Sequence, residues 1–248
     1  MQEREWEIEE LLHRRSDLST FVIHWTRKFE GSTGLDNLKG MLSSRRIKAR
    51  TPMGAGVFTL YKMAEKAEIG SDELQAALRN QRVACFTEAP LEQAWSIVCT
   101  IKGRAYPLEP YGLAFTKREA RALGINPVWY VDMTPGHDWL VNHVEALVRR
   151  AVRAGEFAAD PISEIAPFIE GMGTWATGRK EFWWEREWRY RGDVHFSPYR
   201  CAVVLCPEEH FDDVRPLVKA ENGRSVPVID PHWGLEYIIA KLSGAPEV

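Results

Sequence analysis

The order in which apolar runs change period constrains this chain more than any single motif. Helix-like runs cluster in the early and middle chain, and strand-like runs are grouped late. A doubly wound parallel sheet needs regular strand–helix–strand alternation. This order predicts instead an α+β fold, with mixed or antiparallel sheets and flanking helices. Across 248 residues, 45% hydrophobic content supplies a sizeable core. No repeat, low-complexity stretch or Pro/Gly/Ser linker marks a boundary, so a single domain over residues 1–248 is expected.

The runs place the elements. Residues 3–15 read as a helix with Trp6, Ile8, Leu11 and Leu12 as a partial stripe. Phe21-Val22-Ile23-His24-Trp25 reads as a short buried strand. A helix carrying Leu35, Leu38, Met41 and Leu42 follows, then a loop over 45–57 and two helical pieces over 58–80, broken near Gly70. Arg82 to Phe86 is a strand, and Pro90 opens a helix with Leu91, Trp95 and Val98. Tyr111 to Phe115 is the next strand. Thr116-Lys117-Arg118-Glu119 has the spacing of a capping box, and Gly124 ends the short helix it opens. Pro127 to Val131 is a strand. Residues 138–154 form an amphipathic helix with Leu140, Val144, Leu147, Val148 and Ala151 on one face. A second helix near 161–170 carries Ile162, Ile165, Phe168 and Ile169. Phe182 to Arg191 is expected as one long aromatic strand, with Arg200 to Leu205 and Val226 to Ile229 after it. Asp230-Pro231 is expected to cap a last helix bearing Leu235, Ile238, Ile239 and Leu242, within a C-terminal strand-and-helix segment over 226–243.

Charge and composition exclude several classes. The net charge of −3, with both signs interspersed, lacks the strongly basic footprint of a nucleic-acid binder. Arg45, Arg46, Lys48 and Arg50 form a local basic cluster, read as a solvated loop or a local contact. Ten tryptophans serve cores or stacking surfaces. Cys85, Cys99, Cys201 and Cys206 contain no C-x-x-C pair and read as reduced thiols. The N-terminus has neither the basic nor the apolar region of a signal peptide, and no run reaches the roughly 18 apolar residues of a membrane span. A cytoplasmic location is therefore expected. There is no phosphate loop, no H-E-x-x-H and no G-x-S-x-G. Gly171-Met172-Gly173 is followed by Gly178, which breaks the dinucleotide fingerprint. His137 and His143 are six apart and do not share a helix face, so no metal is expected.

Three segments remain as candidates for chemistry. His24-Trp25-Thr26 ends the first strand; His24 is either a structural, hydrogen-bonded histidine or a ligand contact. Cys85-Phe86-Thr87-Glu88 ends a buried strand just before a helix, where Thr87 or Glu88 would cap that helix or line a cleft. In Trp183-Trp184-Glu185-Arg186-Glu187-Trp188-Arg189-Tyr190, strand alternation puts Trp184, Arg186, Trp188 and Tyr190 on one face. Glu185, Glu187, Arg189 and Arg191 take the other. That second face is either solvated, or holds a carboxylate on a rigid strand with Arg189 keeping it ionised.

These segments, in order with Val83-Ala84-Cys85-Phe86-Thr87-Glu88, Tyr111-Gly112-Leu113, Pro127-Val128 and Glu187-Trp188-Arg189, resemble the AbiGi family of bacterial abortive-infection proteins over roughly residues 20–206. That resemblance implies a phage-resistance, toxin–antitoxin setting and a partner protein encoded alongside, with nucleic acid as another candidate partner. More distantly, the same order resembles the ADP-ribosyltransferase superfamily. This implies an ADP-ribosyltransferase-like core over about 20–206 and NAD as substrate. His24 would contact an NAD ribose, with Thr26 in the same cofactor-binding set. Phe86 and Thr87 would border the nicotinamide. Glu187, or in its place Glu185, would be the catalytic carboxylate that bonds the nicotinamide-ribose 2′-hydroxyl. The usual second-strand tyrosine is replaced by Phe86. Three readings stay open: an NAD-consuming enzyme, a non-catalytic antitoxin or regulator on a degenerate form of the same fold, and a sensor that binds NAD or an ADP-ribose-like nucleotide without turnover.

Overall fold

A computed structural model of the chain describes residues 18–102, 104, 106–176, 178–197, 200–218 and 226–244. The helix expected over 3–15 lies outside them. The early elements are β1 (Phe21–Trp25), α1 (Gly34–Ser44), β2 (Arg46–Ile47), β3 (Thr51–Pro52), α2 (Ala55–Glu65), α3 (Ser71–Asn80) and β4 (Arg82–Thr87). The middle holds α4 (Ala94–Val98), β5 (Gly112–Thr116), α5 (Lys117–Ala122), β6 (Asn126–Pro127), β7 (Trp129–Asp132), α6 (Trp139–Arg153) and α7 (Ile162–Ile165). The late elements are β8 (Ile169–Trp175), β9 (Gly178–Lys180), β10 (Glu187–Arg191), β11 (Val194–His195), β12 (Val203–Leu205), α8 (Phe211–Val214), β13 (Val228–Ile229) and α9 (Leu235–Ser243). Parallel pairs (β7 with β8, β12 with β13) sit among antiparallel ones, so the fold is α+β with mixed sheets, as the order of runs predicts.

The chain divides into two compact units built from interleaved segments. The first takes the described residues among 1–45, 86–123 and 196–248; the second takes 46–85 and 124–195. In the first unit the strand order is β13-β12-β5-β1, with Ile23 of β1 facing Thr87 at the end of β4. Strand β1 is antiparallel to β5 from Phe21↔Thr116 to Trp25↔Gly112. Both faces of β5 are covered, so its first four residues are buried and read as a continuous apolar run. Ile23, Trp25, Ala94, Ile97, Ala114, Val203, Leu205, Ile229 and Ile238 make this unit's core cluster.

In the second unit, α2 and α6 pack together over a core that includes Leu60, Met63, Val144, Val148, Ile162 and Ile169. The buried face of α6 is Val141, Val144, Val148, Ala151 and Val152. Leu140 and Leu147, expected inside, are 42% and 39% exposed. Apolar spacing sets the stripe's width, while packing against α2 selects which edge of it is covered. Gly54, the residue before α2, has φ +94°, and a Cβ there would lie 2.2 Å from the Ala166 carbonyl oxygen. Gly54→Ala is expected to cost about 2 kcal/mol or more, since both backbone strain and overpacking oppose it. Urea denaturation measures that loss, and an unchanged midpoint would contradict the close approach.

Several boundaries differ from the sequence expectation. The 45–57 loop contains β2, β3 and the start of α2. The helix expected through residue 170 stops at Ile165 and passes through a 3-10 turn, and Ile169 begins β8. The strand expected over Pro127 to Val131 is split into β6 and β7, which join different neighbours. The reciprocal capping box at Thr116 is observed in one direction, Thr116 accepting from the Glu119 N–H, while Glu119 pairs with Arg200. Asp230 does not open α9, which starts at Leu235 after Gly234. Its carboxylate instead accepts from the His232 and Glu208 N–H groups.

Candidate functional site

The first unit holds four of the residues singled out from the sequence. His24 lies on β1 with its ring 5.5 Å from that of Phe86, tilted by 57°. Phe86 is 1% exposed and also meets Phe115 edge-on at 6.1 Å, so it is a core residue that backs the histidine. Thr26 follows β1, its backbone pinned by the pairs Thr26 N–H to Tyr111 and Glu109 N–H to Thr26. Its side-chain oxygen is buried and has no hydrogen-bond partner among the described residues. Such a hydroxyl costs stability until something pairs with it. Thr87 is buried at the end of β4. Neither Thr87 nor Glu88 caps the following turn, whose N-terminal flank is Pro90 with no side-chain cap. Glu88 pairs instead with Lys117 Nζ at 2.7 Å.

The second unit holds Glu187, and here the structure departs from one long strand. Phe182–Glu185 is a 3-10 turn, Arg186 adopts a left-handed conformation at φ 44°, and β10 begins only at Glu187. Glu185 is therefore not on the strand and shares no strand face with Glu187. The backbone at Glu187 is held on both sides: its N–H donates to Tyr130 Oη at 3.0 Å, and its carbonyl accepts from Val128 N–H at 2.8 Å.

The side chain of Glu187 belongs to a charged cluster that the sequence reading only half anticipated. Arg189, on the same strand face, is fully buried. Its Nη2 donates to Glu187 Oε2 at 2.7 Å and to Glu170 Oε2 at 2.5 Å, and its Nη1 donates to the Pro167 carbonyl. Lys180 Nζ lies 2.5 Å from the other oxygen of Glu170. At Glu187 and Arg189 that face is an internal ion network, while Arg191 pairs with the exposed Glu164. Burial opposes the charge on Arg189, but Glu187 and Glu170 outweigh it and hold the guanidinium protonated well beyond its ordinary range. Burial pushes the Glu170 carboxyl up, while Arg189 and Lys180 pull it down further, leaving it below the usual value. Burial and the neighbouring Glu187 raise the Cys85 thiol, which stays protonated. Burial likewise keeps the Tyr130 phenol neutral.

Glu170 is hidden in the sequence because the helical spacing of Ile162, Ile165, Phe168 and Ile169 predicts a helix there. It lies on β8, paired in register with Tyr130 of β7. The lowered carboxyl has a pH consequence. A group whose pKa is depressed on folding stabilises the fold above its unfolded value, about 4.3 for glutamate, and that contribution is lost as pH falls through the lower folded value. Unfolding free energy is therefore expected to fall on acidification below about pH 4.3, with a shallower slope in Glu170→Gln. Urea titrations at stepped pH test this; identical slopes would exclude Glu170 as a contributor.

Of the proposed residues, the structure brings His24 and Phe86 together in the first unit. In the second it brings Glu187 together with Arg189, Glu170, Tyr130 and Cys85. Arg46 of the basic cluster is not in a loop: it lies on β2, paired with His195 of β11, and its side chain pairs with Asp193 at 3.0 Å. Among the described residues no group of three or more His, Cys, Asp or Glu side chains is arranged to hold a metal, and no helix is long and apolar enough to cross a membrane. The four cysteines form no disulfide with one another.

No protein-family model matches the chain, and no curated protein matches it either. Among solved structures, the chain is similar to DarT from Thermus sp. 2.9, in complex with ADP-ribosylated single-stranded DNA. The identity is 12%, over 86% of this chain and 94% of that one, with a TM-score of 0.35.

Proposed function

We propose that this chain is an ADP-ribosyltransferase-like protein of bacterial antiphage defence that cleaves NAD and transfers ADP-ribose to an acceptor. The observation that carries this reading is Glu187, a carboxylate fixed at the start of a strand, its backbone held on both sides and its side chain bonded to a fully buried arginine. The setting and the substrate come from the resemblance of the ordered segments to abortive-infection proteins and to ADP-ribosyltransferases.

In this reading the bond between the nicotinamide nitrogen and the ribose anomeric carbon breaks, and its electron pair leaves with nicotinamide. Positive charge develops on the ribose. Glu187 accepts a hydrogen bond from the nicotinamide-ribose 2′-hydroxyl and stabilises that charge most in the transition state. An acceptor lone pair then forms the new bond to the anomeric carbon, and the acceptor's proton passes to water. His24 contacts a ribose hydroxyl, with Phe86 as its packing support. The unpaired Thr26 hydroxyl is a buried group that a bound nucleotide would satisfy. Thr87 lies at the same strand end as Phe86 and completes the proposed set.

One observation favours the second reading, a non-catalytic antitoxin or regulator of a two-gene system. Phe86 stands where the resemblance calls for a tyrosine, and it is 1% exposed, turned into the core. Nicotinamide release from NAD by the purified protein, beside Glu187→Gln, separates the two. Release that the variant loses supports the enzyme. Absence of both release and NAD binding, with co-purification of a protein encoded next to it, supports the regulator.

A further inference from the structure

We propose that Glu170 is a positioning residue for Glu187: it shares the Arg189 guanidinium with Glu187, so that Arg189 orients the catalytic carboxylate without neutralising it. The inference rests on the function proposed above and goes beyond it, because Glu170 belongs to none of the segments that carry the resemblance.

The side chains form a line of alternating charge: Lys180, Glu170, Arg189, Glu187. One atom, Arg189 Nη2, reaches an oxygen of each carboxylate, at 2.5 Å from Glu170 and 2.7 Å from Glu187. Arg189 is fully buried, and the side chains of Glu170 and Glu187 are 12% and 16% exposed. Water therefore screens these charges poorly. With Glu187 as its sole carboxylate, such an arginine would place a full positive charge against the group meant to stabilise a cationic ribose. Glu170 cancels that charge from the other side. The guanidinium, itself held by Glu170 and the Pro167 carbonyl, still ties down one oxygen of the Glu187 carboxylate through Nη2. Lys180 acts one step further along, drawing Glu170 toward itself and away from Arg189.

Alternation gives the proposal a sign. Removing the charge of Glu170 leaves Arg189 wholly to Glu187 and weakens transition-state stabilisation. Removing the charge of Lys180 releases Glu170 to Arg189 and strengthens it. A merely structural ion network would lose activity in both cases.

Steady-state nicotinamide release from NAD is measured for the native protein, Glu170→Gln and Lys180→Met. Glu170→Gln is expected to lower kcat about tenfold with KM for NAD within about twofold, the pattern of an interaction used in the transition state. Lys180→Met is expected to raise kcat about two- to threefold. An active native protein whose Glu170→Gln variant matches it, or whose KM alone rises, overturns the proposal and leaves the function standing. A Lys180→Met variant at or below the native rate also overturns it, and decides the matter if Glu170→Gln does not fold. A native protein that neither releases nicotinamide nor binds NAD overturns the function and this inference together.

Discussion

Glu187→Gln is expected to fold like the native protein and to lose about 100-fold or more of its nicotinamide release from NAD. The size follows from what the substitution removes. Glutamine keeps the shape and one oxygen able to accept from Arg189 Nη2, so the local geometry survives. It deletes the negative charge that would face the developing ribose cation. An interaction that strengthens only as charge develops affects kcat and kcat/KM together, with NAD affinity little changed. The matching control is Glu185→Gln. Glu185 sits in the 3-10 turn, separated from β10 by the left-handed Arg186, and a loss below about threefold is expected there. If Glu185→Gln is the variant that abolishes release while Glu187→Gln keeps it, the carboxylate assignment is wrong. If neither variant changes a measurable native rate, the enzyme reading built on this segment fails.

That control also locates what the sequence made legible. The strands β1, β4 and β5 were readable because each is an apolar run bounded by polar or turn residues and, at five or six residues, too short for a typical helix. The two pieces α2 and α3 were readable because Gly70 separates them. The segment 182–191 was not. Its aromatic and charged residues alternate as a strand should, and the break falls at Arg186, a residue that adopts positive φ only when its surroundings require it. No glycine or proline marks the break, so a pattern with period two runs through it unchecked. Alternation within β10 did correctly place Arg189 on the face of Glu187, but alternation cannot say whether that face meets solvent. The answer depends on Glu170 and Lys180, which come from β8 and β9.

The strand β8 was itself hidden for a physical reason. Gly171 and Gly173 weaken its intrinsic strand preference. Both are needed: a Cβ on Gly171 would collide with the Met133 sulfur, and Gly173 has φ +125°. The close approach that calls for glycine is a tertiary contact, and a run of Ile, Glu, Gly, Met and Gly carries little local signal of it. The signal that was available is Glu170 itself, a lone acid between apolar and glycine positions.

Arg189→Met is expected to lower stability by about 3–5 kcal/mol, the largest loss of any single change in this cluster. The side chain it removes is fully buried, and its two carboxylate partners are nearly so. Methionine fills most of the volume, so the loss comes from charge and not from a cavity. Glu170 retains Lys180, but Glu187 is left as a poorly solvated carboxylate beside Tyr130 and Cys85, and the Pro167 carbonyl loses its donor. The penalty therefore lies mainly in what remains unpaired. This leads to a second expectation for the triple variant Glu170→Met, Glu187→Met and Arg189→Met. Replacing the buried members of an ion cluster by apolar side chains is often close to neutral, because the desolvation cost of the charges is removed along with their attraction, and Lys180, 38% exposed, keeps its charge in water. The triple variant should thus be more stable than Arg189→Met alone, although it is inactive. Urea denaturation of the two at neutral pH makes the comparison. A triple variant no more stable than the single one would show that the cluster holds the fold by net attraction. The ordering expected here means that these charges are retained for something other than stability, which is where a site for charge-stabilising chemistry would be found.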